Sequence, residues 1–331
     1  MLSVSRSPAA AVAAGWDNHF AAFGAQDVEK ILLDYTEDSE IKIFNWSTGN
    51  EYVFKGLSGI RAFFTGLFAD LADLSGLAAP VVDVLEDSVF LVWQCPTSGV
   101  DLATDTFIFD KTTGKIMKQN IACLQPGAPA DGPKPVNTAP TGGVVQASWD
   151  NHFAAFGAQD VPKILLDYTG TSQVTVYDAT TGKKSVYTGL TEIEECFTEL
   201  FAALPDLSSL GAPVVQVEEG PFGMVYLVWE CPSSGFTHAT DTFMFEAETG
   251  KIDKQMVVVQ TAPKMEAAAK VRYTHSWLLM LNECVVLPCN PVTIYSSGVM
   301  CLGAGISGPR CGRMGQSLRG LWSTGRGKDL A

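Results

Sequence analysis

Apolar side chains recur at helical spacing in three stretches near the start of the chain. The first stripe ends before Gly24, a residue that suits the end of a helix, and it consists of Trp16, His19, Phe20 and Phe23. The second stripe follows Asp27, a favourable N-cap, and consists of Val28, Ile31, Leu32 and Tyr35. The third is longer and consists of Ile60, Phe63, Phe64, Leu67, Phe68 and Leu71. This pattern predicts two short helices and then a longer amphipathic helix.

Alternating apolar and polar positions predict six strands among and after these helices. They cover residues 40–46, 51–55, 81–85, 88–94, 104–110 and 115–124. The polar run DKTTGK, residues 110–115, predicts a hairpin turn between the last two strands. Helices grouped before and between such strands indicate an α+β unit with helices on one face of a sheet.

The whole pattern occurs a second time. Residues 149–169 repeat residues 16–36 with one exchange, Glu29 to Pro162, which the first turn of a helix tolerates. The chain is therefore a tandem duplication, and each copy of about 110 residues has the size of one domain. We predict an N-terminal extension (1–14), a first domain (15–124), an exposed linker rich in proline and glycine (125–147), a second domain (148–261) and a poorly ordered basic tail containing glycine and cysteine (262–331).

Composition narrows the classes of partner. The net charge of −14 argues against nucleic-acid binding, which needs clustered lysine and arginine. The longest apolar run, 277–289, is too short to span a bilayer, so we expect a soluble protein without a membrane partner. The first 15 residues lack the continuous apolar stretch of a secretory signal. We expect a cytoplasmic protein with reduced thiols, with organellar targeting as the alternative.

Motifs for cofactors and metals are not found in the sequence. The four histidines have no spacing that would gather three metal ligands in one domain, and no glycine-rich nucleotide motif joins a strand to a helix. Cys95 and Cys231 have no cationic neighbour in sequence that would activate a thiol, so we interpret them as structural. We expect neither a metal nor a cofactor.

Three sequence phrases carry a resemblance to a known family. They are GAQDVEKILLDYTEDSEI, the third-helix phrase GLSGIRAFF, and ATDTFIFDKTTGKIMKQN. Together with the element order they resemble the SnoaL-like polyketide cyclase branch of the nuclear transport factor 2 (NTF2) superfamily, over nearly all of both copies and none of the tail. The resemblance implies two tandem NTF2-like (cystatin-like cone) α+β domains, each a curved antiparallel sheet wrapped on about three helices. This fold hosts isomerases, cyclases, dehydratases and binding modules, so it does not define the chemistry.

Similarity to ketosteroid isomerase, another member of the superfamily, implies candidate catalytic residues. His19 falls where that family has its oxyanion-hole tyrosine, and Asp105, in DTFIF, falls on its oxyanion-hole aspartate. The second copy has His152 and Asp241 at these positions. The proton-abstracting aspartate of that family falls near Ile43 and Val176, so acid–base work would be left to the histidine and the aspartate, in either order.

The sequence leaves several functions open. In the first, each cone binds a small apolar or aromatic molecule, with Trp16, Trp93, Trp149 and Trp229 lining the pocket or simply filling the core. Such a protein would be a binder or a cofactor-independent isomerase, cyclase or dehydratase. The alternative is a non-catalytic interaction module, in which the two domains pair as an intramolecular pseudo-dimer or the chain forms a homo-oligomer. A third hypothesis is that only one copy is active.

Overall fold

The computed structural model describes residues 8–127, 129–220 and 223–262. The predicted tail lies outside these residues, except for Ala262. The first half contains α1 (Pro8–Gly24), α2 (Val28–Leu32), β1 (Glu40–Asn45), β2 (Asn50–Lys55), α3 (Gly56–Asp70), β3 (Ala78–Val84), β4 (Ser88–Cys95), β5 (Val100–Asp110) and β6 (Lys115–Leu124). The second half contains α4 (Val144–Gly157), α5 (Val161–Ile164), β7 (Tyr168–Asp178), β8 (Lys183–Thr188), α6 (Gly189–Ala203), β9 (Gly211–Glu218), β10 (Met224–Cys231), β11 (Phe236–Phe245) and β12 (Ile252–Thr261).

Each half forms one six-stranded sheet. The strand order is β2-β1-β6-β5-β4-β3 in the first half and β8-β7-β12-β11-β10-β9 in the second. The predicted antiparallel sheet is correct except at one strand pair in each half, because β1 pairs with β6, and β7 with β12, in parallel. The parallel pair arises because α3 and α6 carry the chain from one edge strand to the opposite edge, so that the last strand returns beside the first in the same direction. The α+β class is confirmed.

The short second helices begin as the sequence predicts. The Asp27 carboxylate accepts a hydrogen bond from the Lys30 backbone N–H at 3.1 Å, and Asp160 does the same for Lys163 at 3.2 Å. Pro162 lies in the first turn of α5, where no backbone N–H is needed.

The first helices are longer than their predicted apolar stripes. Helix α1 begins at Pro8, inside the predicted N-terminal extension, because an alanine-rich stretch favours helix and Val12 is fully buried. Helix α4 begins at Val144, inside the predicted linker, and Val145 is buried at the position equivalent to Val12. The extra turns of both helices are therefore stabilised by a buried valine that precedes the apolar stripe.

The helices of each half pack on one face of its sheet and enclose an aromatic core. On β5, Asp105, Phe107 and Phe109 share this inner face, as strand alternation predicts. The equivalent inner-face residues of the second half include Asp241 and Phe243. The inner face is the surface on which a site can be built.

The outer faces of the two sheets contact each other within one compact unit, Met1–Pro263. An apolar cluster joins both halves and consists of Val81, Phe90, Val92 and Leu102 with Tyr177, Met256 and Val258. The hydroxyl groups of Thr106 and Thr242 are hydrogen-bonded across this contact at 2.7 Å. Each sheet is thus covered by helices on one face and by the other half of the chain on its other face.

Residues of the predicted linker are mostly exposed, but they bond to both halves. The Pro133 carbonyl accepts from the Glu51 N–H, and the Asn137 side chain accepts from the Val215 N–H at 2.7 Å. Among the helices that the structure describes, none has the length and apolar character needed to cross a bilayer.

Candidate functional site

Each half holds a cavity between its sheet and its helices. The cavity of the second half has a volume of about 370 Å³, and that of the first half about 160 Å³. The smaller cavity is lined by the predicted site residues His19, Asp105, Trp16 and Trp93. The larger is lined by His152, Asp241, Trp149 and Trp229. The residues that the sequence singled out therefore line one cavity in each copy.

The two histidines lie on the inner face of the first helices, and each is held by an aspartate. Nδ1 of His152 lies 3.3 Å from Oδ2 of Asp167, and Nδ1 of His19 lies 3.4 Å from Oδ2 of Asp34. The other oxygen of Asp167 accepts a hydrogen bond from the Asn151 amide at 2.7 Å. In the second half this hydrogen bond orients the imidazole and leaves Nε2 as the ring nitrogen that Asp167 does not occupy, whereas the longer contact in the first half is not a hydrogen bond.

Aromatic rings complete the setting of each histidine. The ring of His152 meets the rings of Phe243 and Phe197 edge to face, with centroids 5.0 and 5.9 Å apart. Such contacts restrict rotation of the imidazole and keep water from its sides. The histidine thus presents one nitrogen in a defined direction.

The aspartates on the sheet belong to a separate hydrogen-bond network. Oδ1 of Asp241 accepts from Trp229 Nε1 at 3.2 Å, and Oδ2 accepts from Gln255 Nε2 at 3.0 Å. Gln255 in turn accepts from the hydroxyl of Tyr168. The first half repeats this network with Asp105, Trp93, Gln119 and Tyr35. The donors fix the carboxyl group in position and face both of its oxygens.

Burial dominates the acidity of these carboxyl groups. It raises the pKa of Asp241 to about 7, although the hydrogen bonds from Trp229 and Gln255 act in the opposite direction. Burial likewise raises the pKa of Asp105 to about 6. A carboxyl group with a pKa near neutrality can both take up and release a proton in that pH range, which an ordinary aspartate cannot do efficiently.

In neither half does the structure pair the histidine with the sheet aspartate. Among the described residues, His19 pairs with Asp34, whereas Asp105 pairs with Trp93 and Gln119. In the second half His152 pairs with Asp167 and not with Asp241. Both groups still line one cavity, so they can contact a bound molecule from two sides without contacting each other.

Sequence reasoning missed the partners of these residues. Asp34 and Asp167 follow the short second helices, and helical spacing does not reveal which side chain of a neighbouring element lies beside the histidine. Gln119 was within reach of prediction, because it shares strand parity with Ile121, which lines the same cavity.

The position of the missing general base has an apolar side chain in both halves. Ile43 lines the first cavity and Val176 lines the second. Neither side chain can accept a proton, so these positions hold no general base.

Other candidate groups take structural positions. Cys95 and Cys231 are buried, and their thiols donate to the backbone carbonyls of Asp73 and Asp206. His238 faces Trp46 at a ring-centroid distance of 5.3 Å and bonds to Gln260. Within the described part of the chain, no group of three or more His, Cys, Asp and Glu side chains is arranged to hold a metal ion.

Both halves have the predicted α+β architecture, a six-stranded sheet with helices on one face, and this part of the fold prediction is confirmed. No protein-family model matches the chain, and no curated protein is significantly similar to it. Solved structures similar to the chain are described as NTF2-like, SnoaL-like or cystatin-like.

Three of these structures illustrate the likeness. A SnoaL-like protein of unknown function from Burkholderia thailandensis E264 is 18% identical, with a TM-score of 0.28, over 35% of this chain and 95% of that one. A steroid delta-isomerase from Pseudomonas aeruginosa is 15% identical, with a TM-score of 0.28, over 35% and 82%. An NTF-2 like protein of unknown function from Burkholderia xenovorans LB400 is 14% identical, with a TM-score of 0.28, over 36% and 88%.

Proposed function

We propose that this chain binds a small apolar or aromatic carbonyl compound in a cone cavity and transfers a proton at the carbon next to the carbonyl group. The observation that carries the proposal is the cavity of about 370 Å³, which falls within the usual size of ligand pockets and has polar groups of two kinds on its wall. Most of the lining is apolar, so the body of the ligand is apolar too.

The two polar groups have complementary roles in this proposal. The Asp241 carboxylate removes the proton from the carbon. His152 acts as the imidazolium, with its Nδ1–H on Asp167, so that its Nε2–H donates the hydrogen bond that stabilises the enolate oxygen. The proton then returns from Asp241 to carbon, at the same or a neighbouring position, so no cofactor or co-reactant is consumed. A pKa of about 7 allows Asp241 both to take up the proton and to give it back near neutral pH. The reverse assignment uses the same two groups: Nε2 of His152 is the base, and the protonated carboxyl group of Asp241 donates the hydrogen bond.

The aromatic walls support this class of ligand. Trp149 and Trp229 line the second cavity, and the Trp229 N–H is already occupied by Asp241, so its ring surface is what remains for a ligand. A planar ring system with an attached carbonyl group would bury apolar area against these indoles and place one oxygen among polar groups.

The test uses Prodan, a fluorescent naphthalene ketone whose emission reports its surroundings. We expect saturable binding to the parent chain and a loss of affinity of about tenfold in the double variant His19→Ala and His152→Ala, since a hydrogen bond to a buried carbonyl is worth about 1 kcal/mol or more. Circular dichroism checks that the variant keeps the fold. Unchanged affinity in a folded variant would refute the assignment of the histidines.

Deuterium uptake tests the catalytic part. In heavy water, mass spectrometry should show exchange of the hydrogens on the carbon next to the Prodan carbonyl, faster with the parent chain than with Asp241→Asn. Equal exchange rates for both would leave a binding protein without proton transfer.

The interaction module is the second candidate, and one observation favours it for the first half. The cavity there is about 160 Å³, below the usual range for ligand pockets, while its sheet contacts the second half through an apolar cluster. Under this candidate the first half supports its neighbour and binds no small molecule.

A further inference from the structure

The two halves share their polar chemistry but differ in the space around it. In both cavities a histidine is held by an aspartate, and a carboxyl group is held by a tryptophan and a glutamine. The volumes of about 160 and about 370 Å³ nevertheless differ more than twofold. The difference in volume therefore comes from lining side chains other than these shared polar ones.

One exchange on the long helix explains why the second cavity is the larger of the two. Phe63 of α3 lines the first cavity, and its ring packs against Phe54 and Phe64 at centroid distances of 5.2 and 5.0 Å. The equivalent residue of α6 is Cys196, which lines the second cavity. A thiol is much smaller than a phenyl ring, so α6 leaves open the space that α3 fills.

Ser185 also lines the second cavity and replaces Tyr52, whose side chain does not line the first. At positions that line both cavities, the other exchanges have smaller or opposite effects on the volume. Val176 and Val257 replace Ile43 and Ile121, and each exchange removes one methylene group from the wall. Phe236 replaces Val100 and adds volume to the wall of the second cavity. Its ring stacks on Trp229, with the two ring centroids 5.6 Å apart. Among the positions that line both cavities, the exchange at Cys196 removes the most side-chain volume from the second one.

The entrance of the second cavity is also different. Asp178, Lys183 and Glu199 are among its lining residues, and Lys183 and Glu199 are exposed. The equivalent positions of the first half are Asn45, Asn50 and Gly66, and within the described first half none of these lines the cavity. Charged side chains are costly to dehydrate, so they keep the entrance of the second cavity in contact with water.

We propose that the ligand site of this chain belongs to the second half alone, and that residue 196 on α6 sets its capacity. The inference rests on the proposed function and adds a division of roles to it. The ligand is of the size of a bicyclic aromatic ketone, which fits about 370 Å³ and is excluded from about 160 Å³. Phe63 closes the first cavity although the polar groups of that cavity are intact.

Reciprocal exchanges in the full chain test this division. The parent chain should bind one Prodan molecule, as measured by isothermal titration calorimetry and native mass spectrometry. Cys196→Phe should weaken binding at least tenfold, because the added ring takes the space of the ligand. Phe63→Cys should raise the number of bound Prodan molecules from one to two, because the first cavity already has the polar groups.

The outcomes separate the inference from the function on which it rests. No binding by either the parent or Phe63→Cys would contradict the proposed function itself. One bound Prodan that neither exchange affects, or two in the parent, would contradict only the division of roles. If Cys196→Phe does not fold, Cys196→Leu decides by the same comparison, with a smaller expected loss of affinity. Thermal unfolding of each variant verifies the fold.

Discussion

At the scale of single residues, the central feature is a buried carboxyl group that faces two N–H donors in an apolar cavity. Asp241 is almost fully buried, and its donors Trp229 and Gln255 stabilise the charged form, yet burial still raises its pKa to about 7. The group therefore changes charge in the range where a proton-transfer catalyst has to work. Its position on the inner face of β11 could be predicted from strand parity.

The acidity of Asp241 has a consequence for stability. Because its pKa in the folded chain lies above the ordinary value of 3.8, the folded state binds this proton more tightly than the unfolded state does. The resulting stabilisation is complete below about pH 4 and is lost as the pH rises through about 7. In this pH range the free energy of unfolding should fall by up to about 1.4 kcal/mol per pH unit because of Asp241. The Asp241→Asn variant should lack this contribution.

Urea unfolding of the parent and the variant between about pH 4 and about pH 8 measures this difference in slope. Asp105→Asn is the matched control, and its effect should end about one pH unit lower because its pKa is about 6. Parallel pH profiles for the parent and Asp241→Asn would show that the carboxyl group has an ordinary pKa.

The partner of the histidine could not be predicted at this scale. The sequence places His152 on an inner helix face, but its contact with Asp167 depends on how α4 lies against the turn after α5. The two copies are nearly identical around these residues, so comparing them with each other gave no signal that singled out Asp167.

At the scale of elements, the helices are connected through one strained residue in each half. Gln159, between α4 and α5, has a φ of 51°, in the left-handed region that favours glycine. The side-chain amide of Gln159 donates a hydrogen bond to the backbone carbonyl of Leu204, just after α6, at 2.8 Å. The side-chain hydrogen bond ties the end of α6 to the turn after α4, which helps to position two walls of the cavity.

Two substitutions separate the backbone effect from the hydrogen bond. Gln159→Ala and Gln159→Gly both remove the bond to Leu204, but only glycine adopts the positive φ without strain. The glycine variant should therefore be the more stable of the two by about 1 kcal/mol. Chemical denaturation of both variants measures the difference. An alanine variant as stable as the glycine variant would mean that this turn relaxes freely.

Most elements could be predicted from the sequence because their periodicity is local. The third helix, the DKTTGK turn and the six strands all lie within a few residues of the expected positions. The early start of α1 and the parallel pairing of β1 with β6 were missed. The parallel pairing depends on contacts between distant parts of the chain, and the early start of α1 depends on helix propensity and the burial of Val12, neither of which the apolar spacing encodes.

At the scale of the whole molecule, the duplication has placed two similar cones in one chain with their sheets in contact. The buried hydroxyl groups of Thr106 and Thr242 are bonded at 2.7 Å, and those of Thr104 and Thr240 at 3.3 Å. A side-chain network adds Lys42, Gln216 and Glu51, with Gln216 bonded to the other two. Polar groups thus fix how the two sheets meet.

A double-mutant cycle tests this contact. Thr106→Val and Thr242→Val should each cost about 1–3 kcal/mol, because each leaves the partner hydroxyl buried without its hydrogen bond. The double variant should be more stable than the sum of the two single effects predicts, with a coupling of about 1 kcal/mol. Urea unfolding of the four proteins supplies the values. Strictly additive effects would show that the two hydroxyl groups do not interact.

A crystal structure of the chain soaked with Prodan tests the central claim most directly. The account predicts Prodan inside the cavity of the second half, with its carbonyl oxygen within hydrogen-bonding distance of Nε2 of His152 or of the Asp241 carboxyl group. Prodan bound only at the surface, or a second cavity filled by its own side chains, would contradict the account.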